Sequence, residues 1–117
     1  MTVERRYSDR LTVEFDVQIR YRGRRCPIAH ARNISQDGMY VRTNHLTLPR
    51  GNMLELQLRR WGREWLIPAI VVHDDTRGVG LMFRETQSEL YNYEIGALTE
   101  SVARLSTPEA APRGVGL

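Results

Sequence analysis

Val13, Phe15, Val17, Ile19 and Tyr21 are apolar at alternate positions, and Thr12, Glu14, Asp16, Gln18 and Arg20 fall between them. Successive side chains of a strand point to opposite faces, so this run buries one face and wets the other only as a half-buried β-strand. The alternation returns with Leu54, Leu56 and Leu58 in Met53–Arg60, and with Trp65, Ile67, Ala69 and Val71 in Glu64–His73. Shorter strands are predicted over Cys26–Arg32, Met39–Thr43 and Gly78–Phe83. Gly23, Trp61-Gly62-Arg63 and Asp74–Arg77 supply turns, and Pro49-Arg50-Gly51-Asn52 closes a loop over His45–Asn52. Pro68 has no N–H for a ladder, so an edge position or a bulge is expected there. Six short strands joined in this way favour an antiparallel barrel or sandwich over a βαβ fold.

A different period follows. Tyr91, Ile95, Leu98, Val102 and Leu105 recur at spacings of four, three, four and three, giving one apolar stripe on a helix of about residues 87–105. Thr86 with Glu89 three residues on fits a capping box at its start. The stripe is expected to pack against the end of the barrel, although a dimer contact would use the same pattern.

The chain has 117 residues, enough for one hydrophobic core, and divides into an N-terminal arm (1–10), one domain (11–105) and a tail (106–117) expected to be disordered. No apolar run approaches the roughly 20 residues that span a bilayer, and the charged start does not read as a secretory signal. Cys26 stands alone, and His30, His45 and His73 lack metal-ligand spacing, so neither a disulfide nor a metal site is expected. A cytoplasmic location follows from the same cysteine usage.

All 17 cationic side chains are arginine, and the formal charge is +3. A genome whose codons favour arginine explains the bias; so does a need for planar, forked groups that meet phosphates and guanine edges bidentately. The small net charge argues against a nucleic acid polymer as partner. No nucleophile with its base, metal cluster or phosphate-cradling loop ahead of a helix is visible, so catalysis is not expected.

Two motifs lie where core packing explains the chain least. Arg6 and Arg10 form an RxxxR with Arg5 directly before it. Asn33, Ser35 and Gly38 form an NxSxxG between two strands. An amide and a hydroxyl read the polar edge of a purine, and a glycine lets backbone or ligand approach closely. Taken singly, the first is also what a solvated charged arm looks like, and the second a polar turn.

The order of RxxxR, alternating strand, NxSxxG, further strands, a GxG-bearing last strand and one helix resembles the PilZ domain family over about residues 4–105. The resemblance implies an all-β fold with one helix, a six-stranded antiparallel β-barrel followed by a C-terminal α-helix. It also implies a non-enzymatic receptor for the bacterial second messenger cyclic di-GMP. In that reading Arg6 and Arg10 grip bases and phosphates, Asn33, Ser35 and Gly38 meet a guanine from the barrel surface, and Arg5 accompanies binding of a stacked ligand dimer. Binding would order the arm and signal to a downstream protein that the sequence does not name.

His73 and Gly80 lie near where the floor of such a pocket falls, and Trp61 and Trp65 read as barrel core or hairpin packing, with a partner-binding patch as the alternative. Two rivals make different demands. A small barrel binding single-stranded nucleic acid would need a basic groove with exposed aromatics. An adaptor of PilZ type that has lost its ligand would have no reason to keep both motifs.

Overall fold

The computed structural model describes residues 10–44 and 46–106, the last six of them as helical backbone alone. Strands β1 (Leu11–Tyr21), β2 (Arg24–Arg25), β3 (Ala29–Ile34), β4 (Gly38–Arg42), β5 (Met53–Arg60), β6 (Arg63–Asp74) and β7 (Gly78–Phe83) precede helix α1 (Ser88–Ser106). All pairings are antiparallel, in the order β2-β1-β3-β4-β7-β6-β5, and β5 pairs back onto β1 through Gln18↔Gln57, Ile19↔Leu56 and Arg20↔Glu55. Six strands thereby close into a barrel, which removes the open edges that would otherwise template aggregation.

The alternating residues fill it. Val17, Ile19, Leu54, Leu56, Leu58, Trp65, Ile67, Ala69 and Val71 are buried, joined by Ile34, Met39 and Val41 from the short strands and Val79, Leu81 and Phe83 from β7. Burying side chains of this size is worth roughly 1.5–3 kcal/mol each, which is what offsets the ordering of the chain.

The strand expected over Cys26–Arg32 runs instead over Ala29–Ile34, and a separate two-residue strand, Arg24–Arg25, precedes it. β2 and β3 follow one another along the same edge of β1, as Arg20↔Arg25 and Val17↔Ala29 show. Pro27 offers no N–H to the ladder between them, while Cys26 N still reaches Ile19 O at 2.8 Å. The extra strand is a consequence of that interruption.

Two hairpins use the two-residue turns whose twist matches the flanking strands. Arg22 and Gly23 have φ of 55° and 77°, and Trp61 and Gly62 have 59° and 73°. Pro68 departs from expectation: β6 pairs on both sides, with β5 and with β7, and its register shift falls between Val71 and His73. The proline is tolerated because Ala69↔Phe83 is the last rung against β7, and beyond it Pro68 only accepts, from Arg84 N at 2.9 Å.

The helix corrects two further expectations. It starts at Ser88 without the capping box: Thr86 Oγ1 donates to Asp37 Oδ1 at 3.3 Å and Glu89 accepts from Arg63 Nη1 at 2.7 Å. Of the expected apolar stripe, the described side chains pack only at Tyr91, and Val102 and Leu105 lie outside the described side chains. Leu90, Tyr91 and Glu94 are buried, whereas Ile95 and Leu98 remain 36% and 51% exposed. The face that meets the barrel is rotated toward Glu94, a residue that hydrophobic periodicity cannot select. Trp65 is core, donating from Nε1 to Arg60 O at 3.0 Å, and Trp61 stacks on Tyr93 of the helix at 5.9 Å between ring centres.

Candidate functional site

Antiparallel pairing of β1 with β3 brings the start of one beside the end of the other. Leu11 pairs with Ile34 and Thr12 with Asn33, so the residue just before β1 and the first residue of NxSxxG become neighbours although 23 positions separate them. Arg10 Nη1 donates to Asn33 Oδ1 at 2.6 Å on the exposed surface. The two motifs therefore meet. Arg5 and Arg6 lie outside the described residues.

A register shift between Ala31 and Asn33 against β4 sets the exposure of Asn33. Ala31 and Ile34 are both fully buried, so the bulge turns Arg32 and Asn33 together toward the surface. Without the extra residue, strict alternation would send one of them inward.

The other two motif residues shape the turn. Ser35 is 1% exposed, and its Oγ accepts from Asp37 N and from Gly38 N, both at 3.1 Å, while Ser35 N donates to Gly38 O at 2.8 Å. A Cβ on Gly38 would stand 2.3 Å from Leu81 O, closer than any side chain allows, so the glycine is what lets β4 approach β7. Phe83 N to Asp37 O at 2.7 Å and Gln87 N to Gln36 O at 2.8 Å tie the same turn to the end of β7 and the start of α1. Asn33 is thus the one of the three whose side chain faces outward, and the other two hold the backbone that presents it.

From Asn33 a cross-strand row continues over the outer face: Asn33↔Tyr40, Tyr40↔Gly80 and Gly80↔His73. Tyr40 OH donates to Asp75, at 2.9 Å to Oδ1 and 3.1 Å to Oδ2. Asp75 Oδ1 also accepts from Arg77 N at 2.8 Å and Gly78 N at 2.9 Å, and His73 Nε2 stands 3.5 Å from Oδ2. The two backbone N–H groups, with the Tyr40 hydroxyl after them, hold the Asp75 carboxyl below its ordinary range. Burial and the Asp75 carboxylate push the Tyr40 phenol above its own, against the weaker opposing pull of Arg77 and Arg42.

A depression of about 450 Å³ adjoins this row, lined by the pairs His30–Asp16 at 2.7 Å and Arg32–Glu14 at 3.8 Å together with Arg42. On the Arg10–Asn33 side, the bond between the two takes one guanidinium nitrogen of Arg10. Among the described residues no cluster of His, Cys, Asp and Glu could hold a metal ion, and no helix is long and apolar enough to cross a membrane. Sequence reasoning missed Tyr40 and Asp75. The signal available to it was the outward phase of Tyr40 in Gly38–Arg42, beside a glycine in the last strand.

Comparison with known proteins bears on the family and the fold. The family model of the PilZ domain matches residues 4–100. The crystal structure of the PilZ domain of CeSA from a cellulose-synthesizing bacterium superposes with a TM-score of 0.58 at 16% identity, covering 79% of this chain and 99% of that one. An uncharacterized Legionella protein superposes with a TM-score of 0.55 at 16% identity, covering 80% and 97%. At these identities the likeness speaks for the fold. No curated protein sequence matches the chain significantly.

Proposed function

The chain belongs to the PilZ domain family, a family of cyclic di-GMP-binding modules, and on that premise we propose that it is a non-enzymatic receptor for cyclic di-GMP. The observation that carries the reading is the 2.6 Å bond from Arg10 to Asn33, which joins the two motifs at one place on the surface.

The chemistry of that pair suits a guanine nucleotide. Guanine presents N7 and O6 as adjacent acceptors, which a planar guanidinium meets with two parallel N–H bonds. Arg10 commits one nitrogen to Asn33 and keeps further N–H groups for the ligand. With its oxygen taken by Arg10, Asn33 still has its amide N–H₂ to donate to an acceptor on the ligand. Arg5 and Arg6, immediately upstream in the sequence, would reach the phosphates or stack on the bases, and with three arginines in the arm two stacked ligand molecules per chain are the expected load. Neutralising those cations lets the arm settle on the barrel, and the docked arm is the signal that a downstream protein reads in the cytoplasm.

Calorimetric titration of the full chain with cyclic di-GMP tests this. Saturable binding at about micromolar affinity or tighter, roughly 8 kcal/mol, is expected, with most of it lost in Arg10→Ala. Absence of heat with cyclic di-GMP, together with salt-sensitive binding of single-stranded oligonucleotides, would overturn it in favour of a nucleic-acid-binding barrel.

A further inference from the structure

Glycine inside a strand costs roughly 0.5–1 kcal/mol relative to alanine and asks for a reason. β7 carries two on its outer face, Gly78 and Gly80, and their reasons differ. A Cβ on Gly78 would lie 2.1 Å from Val41 O and 3.0 Å from the Tyr40 hydroxyl, so packing demands that glycine. A Cβ on Gly80 would meet nothing nearer than His73 Cβ at 3.3 Å, a tight contact that asks His73 to move by a few tenths of an ångström. Packing demands glycine far less at position 80 than at position 78.

Tyr40 supplies the other half. Its backbone is in register with Gly80, yet its hydroxyl reaches the level of Gly78 and the Asp75 carboxylate beyond it. The ring therefore lies down across β7 instead of standing off the sheet. Asp75 is itself fixed by two backbone N–H groups, so the phenol is pinned at its tip as well as at its root. The result is a flat aromatic face beside bare backbone, bounded on the far side by His73. Asn33 is two strands from Gly80, about 10 Å, a span that one nucleotide unit covers.

We propose that Tyr40 and the bare backbone at Gly80 form a shelf on which a guanine base of the ligand stacks while Arg10 and Asn33 hold its polar edge. This rests on the cyclic di-GMP reading above and names residues outside the two sequence motifs. Aromatic stacking is indifferent to which base lies on the shelf, so the shelf contributes affinity and orientation, and the Arg10–Asn33 side contributes discrimination.

The test is titration of the full chain with cyclic di-GMP, with thermal melts in parallel and proton NMR of the complex. Tyr40→Ala and Gly80→Val are each expected to weaken binding about tenfold or more in chains that still melt cooperatively above the titration temperature, with Tyr40→Ala melting lower because it gives up the Asp75 bond. Tyr40→Phe keeps the ring and gives up the Asp75 bond, and is expected to bind within about threefold of wild type. In the wild-type complex, guanine H8 should show a nuclear Overhauser contact to the Tyr40 ring protons. Wild-type binding that persists within about twofold in both Tyr40→Ala and Gly80→Val, with no H8 contact, overturns the shelf and leaves the receptor reading standing. A wild-type chain that does not bind cyclic di-GMP removes the receptor reading and the shelf with it.

Discussion

Arg60 holds Glu94 through two bonds of 2.9 Å, one from Nε and one from Nη2, a fork that fastens the helix to the barrel beside buried Leu90 and Tyr91. Trp61 Nε1 donates to the same carboxylate at 3.1 Å, and the guanidinium lies 4.2 Å from the ring centre of Phe15 and 4.7 Å from that of Trp61. Glu94 is 5% exposed, so its carboxylate oxygens rely on these partners for their hydrogen bonds.

Arg60→Met should accordingly cost about 3 kcal/mol, because it leaves a buried carboxylate without its cation. Arg60 retains some exposure, which keeps the figure at the low end of what broken buried pairs cost. Urea unfolding measures the loss. A midpoint unchanged from wild type would mean that the helix is not fastened through this pair.

At the ligand site the expectation is the reverse, a loss of binding without a loss of stability. Arg10 and Asn33 meet on the exposed surface, where removing either side chain disturbs little of the core. Arg10→Ala and Asn33→Ala should each weaken cyclic di-GMP binding by about tenfold or more, the weight of one charge-assisted hydrogen bond, at a melting temperature close to wild type. A double-mutant cycle should show the two losses to be non-additive, since each removes part of one shared grip.

Ser35 and Gly38 should behave unlike Asn33 despite belonging to the same motif. Ser35→Ala strands the buried N–H of Gly38 and the part-buried N–H of Asp37 and is expected to cost about 1–3 kcal/mol. Gly38→Ala drives a methyl group against Leu81 O and should cost a similar amount through overpacking. Thermal melts separate these variants from Asn33→Ala; if all three melt alike, the division of the motif into a presenting residue and two supporting ones is wrong.

The Tyr40–Asp75 contact predicts a dependence on pH at both ends. Asp75 titrates lower in the folded chain than in the unfolded one, so its contribution is present above the ordinary aspartate value near 3.8 and is lost as pH falls through the folded value. Tyr40 titrates higher when folded, so its contribution is present below the ordinary phenol value near 10.0 and is lost as pH rises through the window above it. Tyr40→Phe should flatten the alkaline limb of a stability–pH profile, and Asp75→Asn should flatten part of the acid limb. Unfolding midpoints measured across both limbs decide it.

Stoichiometry tests the reading of the arm. Two cyclic di-GMP molecules per chain are expected, and Arg5→Ala should reduce the count to one while leaving a measurable affinity. One ligand per chain in the wild type would end the stacked-dimer reading.

Much of the fold was legible because side-chain period is a local property. The alternation from Val13 to Tyr21, in β5 and in β6 named the strands, and Gly23 and Gly62 marked turns whose positive φ glycine meets without strain. Pro27 and Pro68 were harder. A missing N–H matters only where a neighbour would have accepted it, and no local pattern says where β3 begins or β7 ends. The helix stripe failed in part for a related reason. An acidic residue enters a core only when a cation arrives to pair with it, and Arg60 lies 34 positions from Glu94.

For the site, the sequence by itself determined the chemistry available: arginines near the start, an amide and a hydroxyl in a glycine-bearing turn, and an order of motifs that belongs to one family. Tertiary structure decided which of those groups face outward and which neighbours they acquire. The bulge at Arg32 exposes Asn33, the turn buries Ser35, and pairing of β4 with β7 lays Tyr40 beside Gly80. Residue types are fixed one at a time along the chain, whereas exposure and contact depend on strand register, which closure of the whole barrel sets at once.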